Sequence, residues 1–121
     1  IVNIGSVAGS QTYADGAVYC ASKHAVHALS EGMRIDLLKH GIKVSEVRPG
    51  MVETESSVVR FHGDRQRPIR SMKGEALSAE DIADVIGWIV SLPPHVNVND
   101  ILVMPTQQAD ATIRTVNRNR G

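Results

Sequence analysis

Tyr19 and Lys23 stand four positions apart in the run Tyr19-Cys20-Ala21-Ser22-Lys23. On a helix such residues share one face, with Cβ atoms about 5–6 Å apart. An ammonium beside a phenol stabilises the phenolate, and a phenol so assisted can pass a proton to or from an alcohol or carbonyl oxygen. By itself this spacing arises by chance in many helices, where it serves only packing or solvation. Ser6, thirteen positions ahead of Tyr19, offers a hydroxyl that could donate to a substrate oxygen. Pro49-Gly50-Met51-Val52-Glu53-Thr54 combines a residue that fixes chain direction with one that permits close backbone approach to a ligand. Each also has an ordinary reading, a turn serine and a strand-exit turn.

The surrounding pattern says what must position them. Residues 1–4 read as a short buried strand, followed by a Gly/Ser/Ala loop from Gly5 to Gly16. Val18 to His40 reads as a long helix. Ala21, Ala25, Leu29, Met33 and Leu37 form its apolar stripe, and Gly41 stands where a C-terminal cap belongs. Ile42 to Val47 predicts a second strand that turns at Arg48-Pro49-Gly50. Ser78 opens a capping box with Asp81, and Ile82, Val85, Ile86 and Ile89 form a helical stripe that Pro93-Pro94 stops. Ile101 to Met104 is a third strand, and a polar, basic tail with Arg114, Arg118 and Arg120 ends in an expected mobile terminus. Alternating strands and helices predict a parallel sheet with right-handed crossovers. Near-continuous apolar strands are expected when both sheet faces are covered. Ser6 and the Pro49–Thr54 segment then both lie beyond carboxyl ends of strands, where open parallel sheets place their active sites.

Composition bounds the function. The chain has 121 residues, 42% of them hydrophobic, and 13 basic residues against 13 acidic ones. That balance argues against a dedicated nucleic-acid partner, and no apolar run is long enough for a membrane span. One cysteine, Cys20, forms no internal disulfide, so a reducing, cytoplasmic setting is expected. His24 and His27 are three apart, but no neighbouring cysteine or carboxylate cluster makes them a zinc site, so no metal is expected. Cys20 is read as packing, and Trp88 as core or interface. The opening Ile1-Val2-Asn3-Ile4 reads as a cut inside a buried strand of a longer protein, with proteolytic processing as the alternative. An upstream portion is expected to cover the open edge of that strand.

Taken together and in order, Asn3-Ile4-Gly5-Ser6-Val7-Ala8-Gly9, Tyr19-x-x-x-Lys23 and Pro49-Gly50-x-Val52-x-Thr54 strongly resemble the short-chain dehydrogenase/reductase family. The resemblance covers almost the whole chain. It implies a Rossmann-type three-layer α/β fold, of which residues 1–121 are the C-terminal part of a single domain. It also implies hydride transfer between a small alcohol or carbonyl and NADP, with NAD as the alternative. Tyr19 would be the general acid/base. Lys23 would assist it and hold the nicotinamide ribose, and Ser6 would polarise the substrate oxygen. Pro49, Gly50, Met51, Val52 and Thr54 would flank the nicotinamide. The family's glycine-rich turn and relay asparagine normally lie upstream of residue 1, so these residues alone should bind cofactor poorly and be inactive.

Val59-Arg60-Phe61-x-Gly63-Asp64 and Leu92-Pro93-x-His95-Val96-Asn97-Val98-Asn99 look like the branch acting on 3-hydroxy acids, serine and L-allo-threonine. Arg48 departs from the neutral or acidic residue frequent before the Pro-Gly pair. The basic stretch Arg60 to Lys73 fits either a lid over the site or a solvated loop. As a lid, it would let Arg60 hold a substrate carboxylate. Small residues at Ala21, Ala25 and Ala28 would let helices approach, and the resemblance implies a homodimer or homotetramer. The competing reading is a non-catalytic family member acting as a binding or regulatory protein.

Overall fold

The computed structural model describes residues 1–54 and 76–115. Three strands, β1 (Val2–Ile4), β2 (Ser45–Pro49) and β3 (Asp100–Val103), form one parallel sheet in the order β1-β2-β3. Helix α1 (Ala17–Leu37) connects the first pair of strands, and α2 (Ala79–Ser91) lies on the connection between the second pair. Asn3 pairs with Glu46, and Glu46 with Asp100, which fixes the register.

The two faces of this sheet differ. Neighbouring residues of a strand point to opposite faces, and β2 reads Ser45-Glu46-Val47-Arg48-Pro49. Val47 faces α2 and, with Ile82 and Ile89, forms the buried core, with Val2, Val85, Ile86, Ile101 and Val103 packed around it. The stripe read from the α2 sequence is the one that is buried. Glu46 turns the other way, toward α1, and is fully buried. The Asn3 amide donates to Ser30 Oγ at 3.0 Å, and His27 Nδ1 lies 2.7 Å from Glu46 Oε2. Arg48 pairs with Asp100 at 2.8 Å. The expectation of strands apolar on both faces therefore holds for one face, while the layer under α1 is polar.

The polar layer selects the face of α1 that it covers. Its sheet-facing line includes Cys20, Lys23, His27 and Ser30, whereas Ala21, Ala25 and Leu29 are exposed. Leu29 keeps 59% of its surface. The stripe of Ala21, Ala25 and Leu29 therefore lies away from the sheet, because Asn3 and Glu46 present polar groups to the helix. Cys20, read as packing, is buried; Trp88, read as core or interface, is 52% exposed, which excludes the core alternative.

Element ends shift for local reasons. α1 gives way to a 3-10 turn, Leu38–His40, capped by Gly41 in the left-handed region at φ 65°, as its position suggested. Pairing of β2 begins at Ser45 rather than Ile42, where Ser45 N–H donates to Ile1 at 2.9 Å. The strand continues through Pro49, opposite Val103. Proline is tolerated there because β1 has already ended, its Ile4 lying opposite Val47. β3 runs one residue earlier than Ile101–Met104.

The Ser78 cap carries both halves of the expected box. Asp81 N–H donates to Ser78 Oγ at 3.2 Å, and Ser78 N–H donates to Asp81 Oδ2 at 2.8 Å. The Ser78 backbone N–H and then its hydroxyl hold the Asp81 carboxyl below its ordinary value of 3.8. A lowered native value means that this contribution to stability is present above the ordinary value. It is lost as pH falls below 3.8 through the native one. Asp81→Asn in the complete protein is therefore expected to lower the melting temperature near neutrality and to flatten its fall below pH ~4.

Candidate active site

The carboxyl ends of β1 and β2 lead into Ser6 and the Pro49–Thr54 segment on one rim of the sheet. Beyond Ile4, Gly5 N–H donates to Val47 at 2.8 Å and extends the ladder by one step. Gly5 is required because a Cβ there would overlap the buried Glu46 carboxylate. The chain then makes a 3-10 turn, Val7–Gly9, capped by Ser6. Ser6 is buried, and its Oγ accepts from Ala8 N–H at 3.1 Å. Accepting with a lone pair leaves the hydroxyl hydrogen for an outside acceptor.

Gly9 brings this turn against α1. A Cβ on Gly9 would lie 2.9 Å from the Lys23 carbonyl oxygen, a backbone atom that cannot swing aside. Gly9→Ala is expected to push the Ser6 turn away from the helix and cost about 1–3 kcal/mol as overpacking. Activity should drop in addition, and a melt with a steady-state assay of the complete protein reads both effects.

Tyr19 and Lys23 occupy successive turns of α1, as their spacing predicted. Lys23 Nζ lies 5.9 Å from the centroid of the Tyr19 ring, within cation–π range. Nζ also donates to the Ile4 carbonyl at 3.3 Å. This bond ties the helix to the end of the strand that delivers Ser6. Tyr19 is 40% exposed, so its phenol sits on the rim rather than in the core.

The Pro49–Thr54 segment follows β2. Gly50 N–H donates to Val103 at 2.7 Å, and Met51 N–H donates to Gln108 Oε1 at 2.8 Å. Val52 bridges to Leu77; Glu53 N–H donates to Leu77, and Leu77 N–H to Met51, each at 2.9 Å. These bonds hold residues 51–53 beside Leu77. Thr54 is exposed. Arg60, with the rest of the basic stretch to Lys73, lies outside the described residues, as do Arg118 and Arg120.

Two groups escaped the sequence reading. Glu46 is nineteen positions from His27, so nothing local announced a carboxylate beside that histidine. Gln108 sits in a stretch read only as polar tail. Arg114 of that stretch is also engaged, its Nη1 lying 3.0 Å from Met51 Sδ.

The sequence pattern of the short chain dehydrogenase family matches residues 1–64. The chain belongs to this family. It is 47% identical over 110 residues to a sulfoacetaldehyde reductase of Chromohalobacter salexigens, covering 90% of this chain and 44% of that protein. It is 43% identical over 112 residues to an NADP-dependent 3-hydroxy acid dehydrogenase of Schizosaccharomyces pombe, covering 92% of this chain and 43% of the relative. Among solved structures, the closed form of serine dehydrogenase complexed with NADP+ superposes with a TM-score of 0.87 at 40% identity. That match covers 95% of this chain and 47% of the other. The chain thus spans somewhat under half the length of the proteins it matches. The Rossmann-type α/β fold expected from the sequence agrees with this superposition. Among the described residues, no helix is long and apolar enough to cross a membrane.

Proposed function

We propose that the complete protein carrying this chain is an NADP-dependent oxidoreductase of short 3-hydroxy acids, with NAD as the alternative cofactor. One observation carries the reading. Lys23, one turn from Tyr19, is anchored by Nζ to Ile4 at the end of the strand leading to Ser6. That arrangement sets the Tyr19–Lys23 turn of the helix against the strand end that leads to Ser6, which supports a phenol, an ammonium and a hydroxyl sharing one site.

The residues suit a nicotinamide nucleotide. An ammonium has three donors, of which the Ile4 carbonyl takes one, and the others fit ribose hydroxyls. Pro49, Gly50, Met51 and Val52, with Thr54, would flank the ring. A bound nicotinamide would take up or supply the hydride. On the protein's side, Tyr19 gives or receives the proton at the substrate oxygen, Lys23 stabilises its phenolate form, and Ser6 donates a hydrogen bond to that oxygen. Arg60 is the candidate cation for the substrate's acid group. The names of the relatives support a small anionic substrate, since sulfoacetaldehyde and 3-hydroxy acids both carry an acidic group near the reacting carbon. The outward stripe of Ala21, Ala25 and Leu29 supports a homodimer or homotetramer, and the single cysteine supports a cytoplasmic setting.

The test is an assay of the complete protein with NADP+ and L-serine or 3-hydroxypropionate or, in the reverse direction, NADPH and sulfoacetaldehyde, following nicotinamide absorbance. Turnover of a 3-hydroxy acid is expected. Turnover of sulfoacetaldehyde alone would reassign the substrate, and no turnover with any alcohol or carbonyl would favour a non-catalytic binding role.

A further inference from the structure

Residues 105–115 form a compact turn that touches both loops of the candidate site. Ala109 N–H donates to Ile113 at 2.8 Å and Thr115 N–H to Gln107 at 2.9 Å, so the segment folds back on itself. Asp110 Oδ1 closes it, accepting from Ile113 N–H at 2.6 Å and Thr112 N–H at 2.8 Å. Those two backbone donors, Ile113 first, hold the Asp110 carboxyl below its ordinary value of 3.8. The turn is thus built by its own hydrogen bonds, and it carries contacts outward to two places.

One contact reaches the loop after β1, where Gln11 Oε1 accepts from Ala111 N–H at 2.7 Å. The other reaches the loop after β2 through Gln108. Its Oε1 accepts from Met51 N–H at 2.8 Å while its Nε2 donates to the Asp110 carbonyl at 2.9 Å. A primary amide supplies both functions at once. Gly50 makes the close approach feasible, since a Cβ there would lie 2.6 Å from Gln108 Oε1 and 2.7 Å from Met104 Sδ.

We propose that Gln108 is a positioning residue for the nucleotide. Through it, the turn of residues 105–115 acts as a clamp that fixes the Pro49–Val52 backbone relative to the loop following Ser6. This rests on the oxidoreductase reading, in which that backbone flanks the nicotinamide. The clamp orients the wall of the site without touching the reacting atoms. Gln108→Ala removes both hydrogen bonds. Gln108→Glu keeps an acceptor for Met51 but sets a carboxylate oxygen against the Asp110 carbonyl.

Both variants of the complete protein are compared with wild type by amide hydrogen exchange at Met51, NADP titration, the separation of KM from kcat, and thermal melts. Gln108→Ala is expected to speed Met51 exchange and to weaken NADP binding, each by about tenfold, the scale of one hydrogen bond. The kcat and melting temperature should stay close to wild type, with Gln108→Glu falling in between. Unchanged Met51 exchange and NADP affinity would overturn the proposal. So would a parallel fall of kcat, affinity and melting temperature, which marks a merely structural residue. A wild-type protein that binds neither NADP nor NAD would refute the oxidoreductase reading itself, and the positioning role with it. That result is distinct from a wild type that binds and a variant that does not differ.

Discussion

Tyr19→Phe in the complete protein is expected to lower kcat/KM by about two to four orders of magnitude, the range for loss of a positioned general acid/base. The substitution removes only the hydroxyl, so the ring that stands 5.9 Å from Lys23 Nζ stays in place. NADP affinity and the melting temperature should therefore change little. This split separates chemistry from folding: nucleotide titration and steady-state assays of one protein preparation read both. Activity equal to wild type would remove Tyr19 from the reaction.

The largest expected effect on stability comes from beneath the site. Glu46 has no exposed surface, one oxygen meets His27 Nδ1 at 2.7 Å, and no hydrogen bond reaches Oε1 among the described residues. Removing the side chain that, among the described residues, answers this buried acid leaves it without a partner away from water. His27→Ala is expected to cost about 3 kcal/mol by this mechanism. Replacing Glu46 by Gln in the same background should recover a large part of the loss, because a neutral amide is cheaper to bury than an ion. Chemical denaturation of wild type, both single variants and the double variant measures the coupling. A loss under ~0.5 kcal/mol for His27→Ala, the level of an ordinary surface substitution, would show that the pair does not hold α1 to the sheet.

What the sequence could reveal follows from which interactions are local. Spacings of three and four within a helix are local, so the Ile82–Ile89 stripe, the Ser78–Asp81 box and the shared face of Tyr19 and Lys23 could all be read in advance. The three parallel strands followed from alternating elements, and the Gly41 cap from its position. Contacts between distant segments could not be read. Asn3 meeting Ser30, and His27 meeting Glu46, make the face of α1 that looks most polar the one that is covered. Helical spacing showed that Ala21, Ala25 and Leu29 share a face, but not which side of α1 the sheet covers. Gln108 is fifty-seven positions from the Met51 amide it serves, and a single glutamine in a polar stretch carries no local mark. The role of Ser6 in capping its own turn was likewise hidden, although its place beyond a strand end was not.

The most direct test of the account is a crystal structure of the complete protein with NADP and a 3-hydroxy acid bound. Tyr19 Oη and Ser6 Oγ are expected within about 3.2 Å of the same substrate oxygen, with Lys23 Nζ on the ribose hydroxyls and the Pro49–Val52 backbone beside the nicotinamide. A substrate oxygen touching neither hydroxyl, or a nucleotide seated away from Lys23, would contradict it.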